Sequence, residues 1–365
     1  MVVLLRNCQL NNQVESYMDI PKLEILGSNP PEAEIGNHIL LVAQASYHLG
    51  ELIPLQEELQ RRGLQSMLVA PSIPKKILQR LRPSFARREE LRRKFSVKEY
   101  SLYKESLFKT VKGVVVMNDW GTTRSTIDWA DSNGIPTFGW VEGAQDFFDA
   151  DTGRIRSPYR KAEHIFCIGP YDFNALKGCN RTLVGSTRLR NISATRLPSD
   201  AELKVIVNLN FTYGVNSNAR QSWIKGVNKA VKQSGQDLTI SRHVAEPSLR
   251  LPWVKQSDPI ESLFSQASYF VTRFSTLCYE ALLRGVPMIY HNPHNERAKN
   301  FLNPMGAYPI TTNDYELYEA LKERPLERLT IRKQADEFLN NHLHLISETS
   351  PAELAADVIC SKTSF

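Results

Sequence analysis

No apolar run in these 365 residues approaches the roughly 20 needed to cross a bilayer. The apolar opening, Met1 to Leu5, is too short for the core of a secretory signal and has no small-residue cleavage site after it. A cytoplasmic protein is therefore expected, and a periplasmic binder is not. Cysteine is sparse: Cys8, Cys167, Cys179, Cys278 and Cys360 stand apart, with no CxxC and no Cys/His ligand spacing. An odd, scattered set reads as free thiols in a reducing compartment. No G-x-G-x-x-G follows the first strand of either half, and no phosphate-binding P-loop occurs, which argues against NAD and ATP. There is no low-complexity segment and no repeat with a period of about 20–50 residues, so solenoids and propellers are excluded.

What is present is ordinary globular composition, 42% hydrophobic and 23% charged. The length suits two domains of roughly 150–200 residues. The net charge of +6 is concentrated in residues 75–104, where basic residues recur at helical spacing with Leu78, Leu81, Leu91 and Phe95 between them. This run reads either as a solvated helix face or as a surface for anionic lipid or an acidic acceptor. No nucleic-acid module accompanies it, so no nucleic-acid partner is expected.

Short apolar strands alternate with helix-length amphipathic stretches. In the first half the strands are HILLVAQ (38–44), SMLVA (66–70), GVVVM (113–117), IPTFGW (135–140) and HIFCIG (164–169). The pattern restarts with LKVIVNL (203–209), DLTISR (237–242), SYFVTR (268–273) and VPMIY (286–290), with helices near 217–234, 259–267 and 276–285. Continuous apolar strands separated by helices make parallel sheets covered on both faces. The polar, non-periodic stretch 188–200 reads as a linker. The expected fold is α/β, two Rossmann-like doubly wound domains facing a cleft. Residues 1–190 form the first domain, 201–345 the second, and 346–365 a C-terminal helix packing back on the body. Ligands in such sheets sit beyond the carboxyl ends of the strands.

Three segments place reactive side chains at those ends. In FVTRFSTLCYEALLRGVPMIYHNPHNE (270–296), Ser275 and Thr276 open a helix after a buried strand. Hydroxyls there cap orphan N–H groups, and the same N–H groups bind phosphate. In TISRHVAEP (239–247), Arg242 and His243 stand at a strand end. A hydrogen-donating His beside a leaving phosphate stabilises the charge that develops there. In VMNDWGTTRSTIDWADSNGIPTFGWVEGAQDFFD (116–149), Asp119 and Trp120 follow one strand, and Glu142 and Asp146 the next. Rings and carboxylates in such loops suit a sugar acceptor. Glu142 and Asp119 are the catalytic carboxylates expected from this pattern. Capping of turns is the plainer use for each of these residues. His291 and His294 lie three apart, but Pro293 breaks a helical pair and no third ligand follows, so no metal is expected.

The order strand, Ser-Thr, Glu-Ala-Leu, Gly-x-Pro, strand resembles the donor-binding motif of GT-B glycosyltransferases. The nearest branch is that of the CDP-glycerol glycerophosphotransferases and the capsule-type sialyl- and Kdo-transferases. The resemblance implies that Ser275 and Thr276 bind the donor phosphate and that Glu280 meets the donor ribose. Residues 239–247 resemble that branch's strand-end His-Pro motif, with Val244 in place of the proline, and so imply donor roles for Arg242 and His243. LLVAQASYHLGELIPLQEELQRRGLQSMLVAP (40–71) resembles the GT-B entry motif, in which the loop His, here His48, acts as a base.

The expected function is transfer of a sugar from a nucleotide-activated donor, CMP- or CDP-linked in the branch resembled, to a glycan or lipid-linked acceptor in cell-surface polysaccharide synthesis. The donor is a substrate, and no cofactor is expected. The acceptor hydroxyl loses its proton to Glu142, Asp119 or His48, and an inverting and a retaining course both fit. The expected place of action is the cytoplasm, with peripheral contact to the inner, anionic face of the membrane. The rival readings are a nucleotide-sugar 2-epimerase, which needs no acceptor, and a non-catalytic nucleotide-sugar-binding subunit, which never releases nucleotide.

Overall fold

A computed structural model describes residues 23–26, 37–71, 101–102, 110–119, 122–145, 147–149, 153–194, 204–211, 216–242, 260–323 and 325–363. The unbroken apolar runs of the first half become the centre of one sheet. Its strands are β1 (Leu23–Ile25), β2 (His38–Val42), β3 (Gln65–Pro71), β4 (Ser101–Leu102), β5 (Val111–Val116) and β6 (Thr137–Trp140). A separate two-stranded hairpin, β7 (Phe147–Asp149) with β8 (Arg154–Arg156), precedes the last two, β9 (His164–Cys167) and β10 (Asn180–Leu183). The order across the sheet is β10-β9-β6-β5-β2-β3-β1-β4. All pairs from β10 to β3 are parallel, and β1 pairs antiparallel with both β3 and the edge strand β4.

The second half repeats the scheme with β11 (Lys204–Leu209), β12 (Asp237–Arg242), β13 (Ala267–Thr272), β14 (Met288–His291) and β15 (Ile310–Thr311), ordered β12-β11-β13-β14-β15 and parallel throughout. In each sheet the first parallel strand has its successor on one side and the next strand on the other. The strand order therefore reverses between β2 and β5 and again between β11 and β13, and a crevice opens at the carboxyl ends of those pairs.

The helices are α1 (Leu49–Arg61), α2 (Thr122–Ser132), α3 (Pro170–Ala175), α4 (Thr187–Arg190), α5 (Arg220–Gln233), α6 (Ile260–Ser265), α7 (Leu277–Leu283), α8 (Asp314–Lys322), α9 (Arg328–Gln334), α10 (Asp336–His342) and α11 (Pro351–Lys362). Helix α1 shows the local logic. Leu49, Leu52, Leu55 and Leu59 recur every three or four residues and bury one face against the sheet. Glu58 on the same helix takes Arg61 at 2.7 Å and Arg62 at 2.6 Å, and those guanidinium groups, Arg61 first, hold its carboxyl down at about 2.

Two expectations needed revision. Strands β10 and β15 were not read from sequence, because edge strands are exposed on one side and carry no unbroken apolar run. The polar stretch expected to be a linker from residue 188 opens inside helix α4, capped by the Ser186 side chain, which accepts from the Leu189 N–H at 3.3 Å. Polar residues at and before its start reach neighbours in both halves of the chain. The Ser186 hydroxyl donates to buried Glu51 of α1, and the Thr187 N–H donates to the same carboxyl at 2.6 Å. Arg188 reaches Glu280 of α7 at 3.0 Å. Arg190 donates to the carbonyls of Ser347 and, at 2.9 Å, Thr349. Residues 195–200 of that stretch, and the basic run except Ser101 and Leu102, lie outside the described residues.

The chain then returns to the first half. The His344 N–H donates to the Ile168 carbonyl at 2.7 Å, and α11 lies along α1 with Arg62 bonded to Asp357 at 2.5 Å. The approach at Gly169 is so close that a Cβ there would stand 1.9 Å from the His342 carbonyl oxygen, which only glycine permits. Beside it, on α3, Asp172 is fully buried, and burial pushes its carboxyl up to about 8. The folded protein keeps this proton up to about pH 8, whereas an unfolded Asp loses it near 4. Unfolding therefore releases a proton between those values, and the stability gained below pH 4 is lost as pH rises towards 8. The expected result is a urea midpoint that falls over this range in the parent and is flatter in Asp172→Asn. An unchanged slope in the variant would assign the pH dependence elsewhere.

Candidate active site

Three parallel strands, β2, β5 and β6, end side by side at the first switch point, and each is followed by a polar residue. Gln44 follows β2, Asn118 follows β5 and Glu142 follows β6. Gln44, Asn118 and Thr123 of α2 close a ring of hydrogen bonds. Asn118 Nδ2 donates to Gln44 Oε1 at 2.9 Å, Gln44 Nε2 donates to the Thr123 hydroxyl at 3.1 Å, and that hydroxyl donates to Asn118 Oδ1 at 2.8 Å. Each amide orientation is dictated by its neighbours in the ring. The second hydrogen on Asn118 Nδ2 goes to Glu142 Oε1 at 3.1 Å. A buried polar ring with its donors and acceptors matched is rigid, and it holds the carboxylate from one side.

His48 holds it from the other. It sits at the start of α1, its Nδ1 accepting the Gln44 backbone N–H at 3.0 Å. Its Nε2 lies 2.6 Å from Glu142 Oε2, at an angle short of a linear hydrogen bond. Tyr47 packs edge-on against the ring at 4.8 Å. The His48 side chain is 0% exposed and that of Glu142 11%. The structure thus brings together two of the three residues expected to carry the chemistry, 94 positions apart in sequence. The third, Asp119, serves a turn: its Oδ2 accepts the backbone N–H groups of Arg160 at 2.7 Å and Lys161 at 3.0 Å. Trp120 and Asp146 lie outside the described residues.

Across the cleft, the second switch point carries a buried ion pair that sequence reading did not find. Arg273, at the end of β13, donates through Nε and Nη2 to Glu296, with side chains 0% and 2% exposed. Its Nη1 donates to the Asn210 carbonyl at 2.7 Å, and its guanidinium lies 3.8 Å from the centre of the Phe211 ring. Asn210 Nδ2 donates to the Phe274 carbonyl at 2.7 Å. These bonds tie the ends of β11 and β13 and the loop 292–296 into one unit. Arg273 and Glu296 are 23 residues apart, and no local pattern links them.

Ser275 and Thr276 stand half-buried directly after this pair. Ser275 Oγ accepts the Leu277 N–H at 3.3 Å at the start of α7, and the Thr276 side chain makes no capping bond. Glu280 is buried between Arg188, 3.0 Å from Oε2, and Arg284, 3.1 Å from Oε1. Arg242 ends β12, its backbone in register with Leu209, while its side chain and His243 lie outside the described residues. His291 is buried with its Nδ1 2.9 Å from the Thr311 hydroxyl, and burial pushes it down to about 4. Among the described residues no cluster of three or more His, Cys, Asp or Glu is placed to hold a metal ion.

The two edges meet. The Phe147 ring, five residues after Glu142, lies 5.5 Å from that of Phe274, the residue before Ser275. The Gln145 N–H donates to Asn300 Oδ1 at 2.8 Å. Two doubly wound sheets apposed along their carboxyl edges have solved counterparts. The wall teichoic acid polymerase TagF, with CDPG, matches with a TM-score of 0.53 at 11% identity, over 89% of this chain and 88% of that one. S. aureus MnaA in complex with UDP matches with a TM-score of 0.58 at 14% identity, over 89% and 96%. The UDP-GlcNAc 2-epimerase of Methanocaldococcus jannaschii, with UDP-GlcNAc and UDP, matches with a TM-score of 0.54 at 14% identity, over 90% and 100%. The chain has the GT-B fold. At these identities the likeness is one of fold, spanning both Rossmann-like units. No family model matches the sequence, and no curated protein resembles it in sequence. Among the described residues no helix of this GT-B chain is long and apolar enough to cross a membrane.

Proposed function

We propose that this GT-B chain is a glycosyltransferase, moving a sugar from a nucleotide-activated donor to a glycan or lipid-linked acceptor. The observation that carries the reading is the His48–Glu142 pair. A buried His and a carboxylate are fixed at one switch point, and the ring of Phe147 brings that loop against the Ser275–Thr276 edge of the other. The acceptor hydroxyl gives its proton to this pair. Its oxygen bonds to the anomeric carbon, the bond from that carbon to the donor phosphate breaks, and the electron pair leaves on the phosphate oxygen. Ser275, Thr276 and the N–H groups at the start of α7 receive that phosphate, and Arg242 and His243 keep the donor roles that the resemblance implies for them. Glu280, between its two arginines, stands on the ribose side. The basic run 75–104 suits an acidic acceptor or anionic lipid.

The test is nucleotide affinity. UDP, GDP, CDP and CMP are titrated against the parent and against the double change Ser275→Ala with Thr276→Val. At least one nucleotide is expected to bind, CDP or CMP if the donor is cytidine-linked. The double change is expected to weaken it at least about tenfold, a difference of about 1.4 kcal/mol. A cap alone is worth about 1 kcal/mol of stability. A double variant that loses stability but binds as tightly as the parent therefore reduces the pair to a cap and removes the donor site. Nucleotide-sugar 2-epimerisation is a second reading, favoured by the likeness to the M. jannaschii enzyme. It is separated by its product, because an epimerised donor appears without any acceptor.

A further inference from the structure

We infer that His48 is not the proton acceptor of this site but a positioning residue, whose Nε2–H holds Glu142 in place for that task. The division of labour rests on the transferase reading above. The tautomer of His48 rests on geometry alone.

A backbone N–H can only donate. Gln44 N–H points at His48 Nδ1 from 3.0 Å, so Nδ1 presents its lone pair there. The ring's proton then sits on Nε2, the nitrogen 2.6 Å from Glu142 Oε2. A histidine serving as base through Nε2 needs the opposite arrangement, with the proton on Nδ1 and an acceptor facing it. Such a proton would here be set against the Gln44 N–H. Exposure points the same way. The His48 side chain is 0% exposed while the Glu142 side chain keeps 11%, so within the pair Glu142 is the residue a substrate can reach. Glu142 thus takes a hydrogen bond from Asn118 Nδ2–H on Oε1 and has the protonated Nε2 edge of His48 in close electrostatic contact with Oε2. Asn118 is fixed in turn by Gln44 and Thr123, and the same Gln44 fixes His48 through its backbone. One residue at the end of β2 therefore sets both clamps.

Two measurements decide this. In the first, long-range proton–nitrogen NMR on the ¹⁵N-labelled full chain, with the His48 signals assigned by their loss in His48→Gln, is expected to show the proton on Nε2. A proton on Nδ1 overturns the inference. This holds whatever reaction the protein performs. In the second, nucleotide release is followed from a panel of UDP-, GDP-, CDP- and CMP-sugars. His48→Gln keeps a donor where Nε2 stands and removes the basic ring. It is expected to slow release by no more than about tenfold, with the acidic limb of the pH–rate profile where the parent has it. His48→Ala, which removes the donor, is expected to slow release by about a hundredfold, within the range seen for acid–base groups. Circular dichroism confirms that each variant is folded. If His48→Gln is as slow as His48→Ala, or its acidic limb disappears, His48 is the base and the inference fails. If the parent itself releases nucleotide from no member of the panel, the transferase reading falls, and the NMR result still decides the orientation of the ring.

Discussion

Glu142→Gln is expected to slow transfer by about two orders of magnitude or more while leaving nucleotide affinity within about twofold of the parent. Glu142 is the partly exposed side chain of the pair, and on the proposed reading removing its charge removes the acceptor of the hydroxyl proton. Its surroundings make the amide a poor substitute for a second reason. Asn118 Nδ2–H donates to Oε1 at 3.1 Å, and on the inferred tautomer His48 Nε2–H faces Oε2 at 2.6 Å. An amide offers one oxygen and one NH₂, so one of those donors must face another donor. Nucleotide affinity is spared because Glu142 belongs to the first sheet and the proposed phosphate site to the second. The check is nucleotide release with donor in excess, beside a binding titration. Near-normal turnover would move the role away from Glu142, to Asp119 or back to His48.

Arg273→Met is expected to destabilise the protein by about 3–5 kcal/mol, the usual cost of removing one partner of a buried ion pair. The loss comes from what is left behind: a carboxylate 2% exposed with its main cation gone, and an Asn210 carbonyl without its donor. Methionine keeps most of the volume, so the cost is electrostatic rather than a cavity. The double change Arg273→Met with Glu296→Leu removes both charges and should recover all but about 1–2 kcal/mol, since well-packed apolar pairs often replace buried ion pairs at little cost. Urea unfolding of the two variants and the parent reads both numbers. A single variant within about 1 kcal/mol of the parent would mean that Glu296 is not buried as a charge. Nucleotide affinity should fall in the single variant as well, because Arg273 ties the ends of β11 and β13 just before Ser275.

The architecture was legible because it is written in local pattern. Short β-branched apolar runs such as HILLV and GVVV, alternating with helix-length stretches, read as strands buried on both faces, and leucines every three or four residues turn α1 towards them. The restart of that pattern after residue 200 announced the second sheet. Polar residues just past the strand ends marked Glu142 and Ser275 as places to look, because parallel sheets present their ligands there. Strand ends also produced Asp119, and nothing local distinguishes it from Glu142: each is an acidic residue after an apolar strand. The difference is one of direction. Asp119 meets the N–H groups of residues 160 and 161, whereas Glu142 meets His48 and Asn118.

What the sequence determined by itself was the period of each segment, and hence the two doubly wound sheets and the edge where a site must lie. Only the tertiary structure decided which polar residues share that edge. Gln44, Asn118 and Thr123 close a ring across 79 positions, Arg273 finds Glu296 across 23, and the polar stretch expected as a linker opens as a helix whose partners lie in both halves. The physical reason is the range of the forces. Hydrophobic periodicity is set by neighbours three or four residues apart, whereas a buried hydrogen bond or ion pair is satisfied by whatever the folded chain brings within 3 Å, and no spacing in the sequence records that.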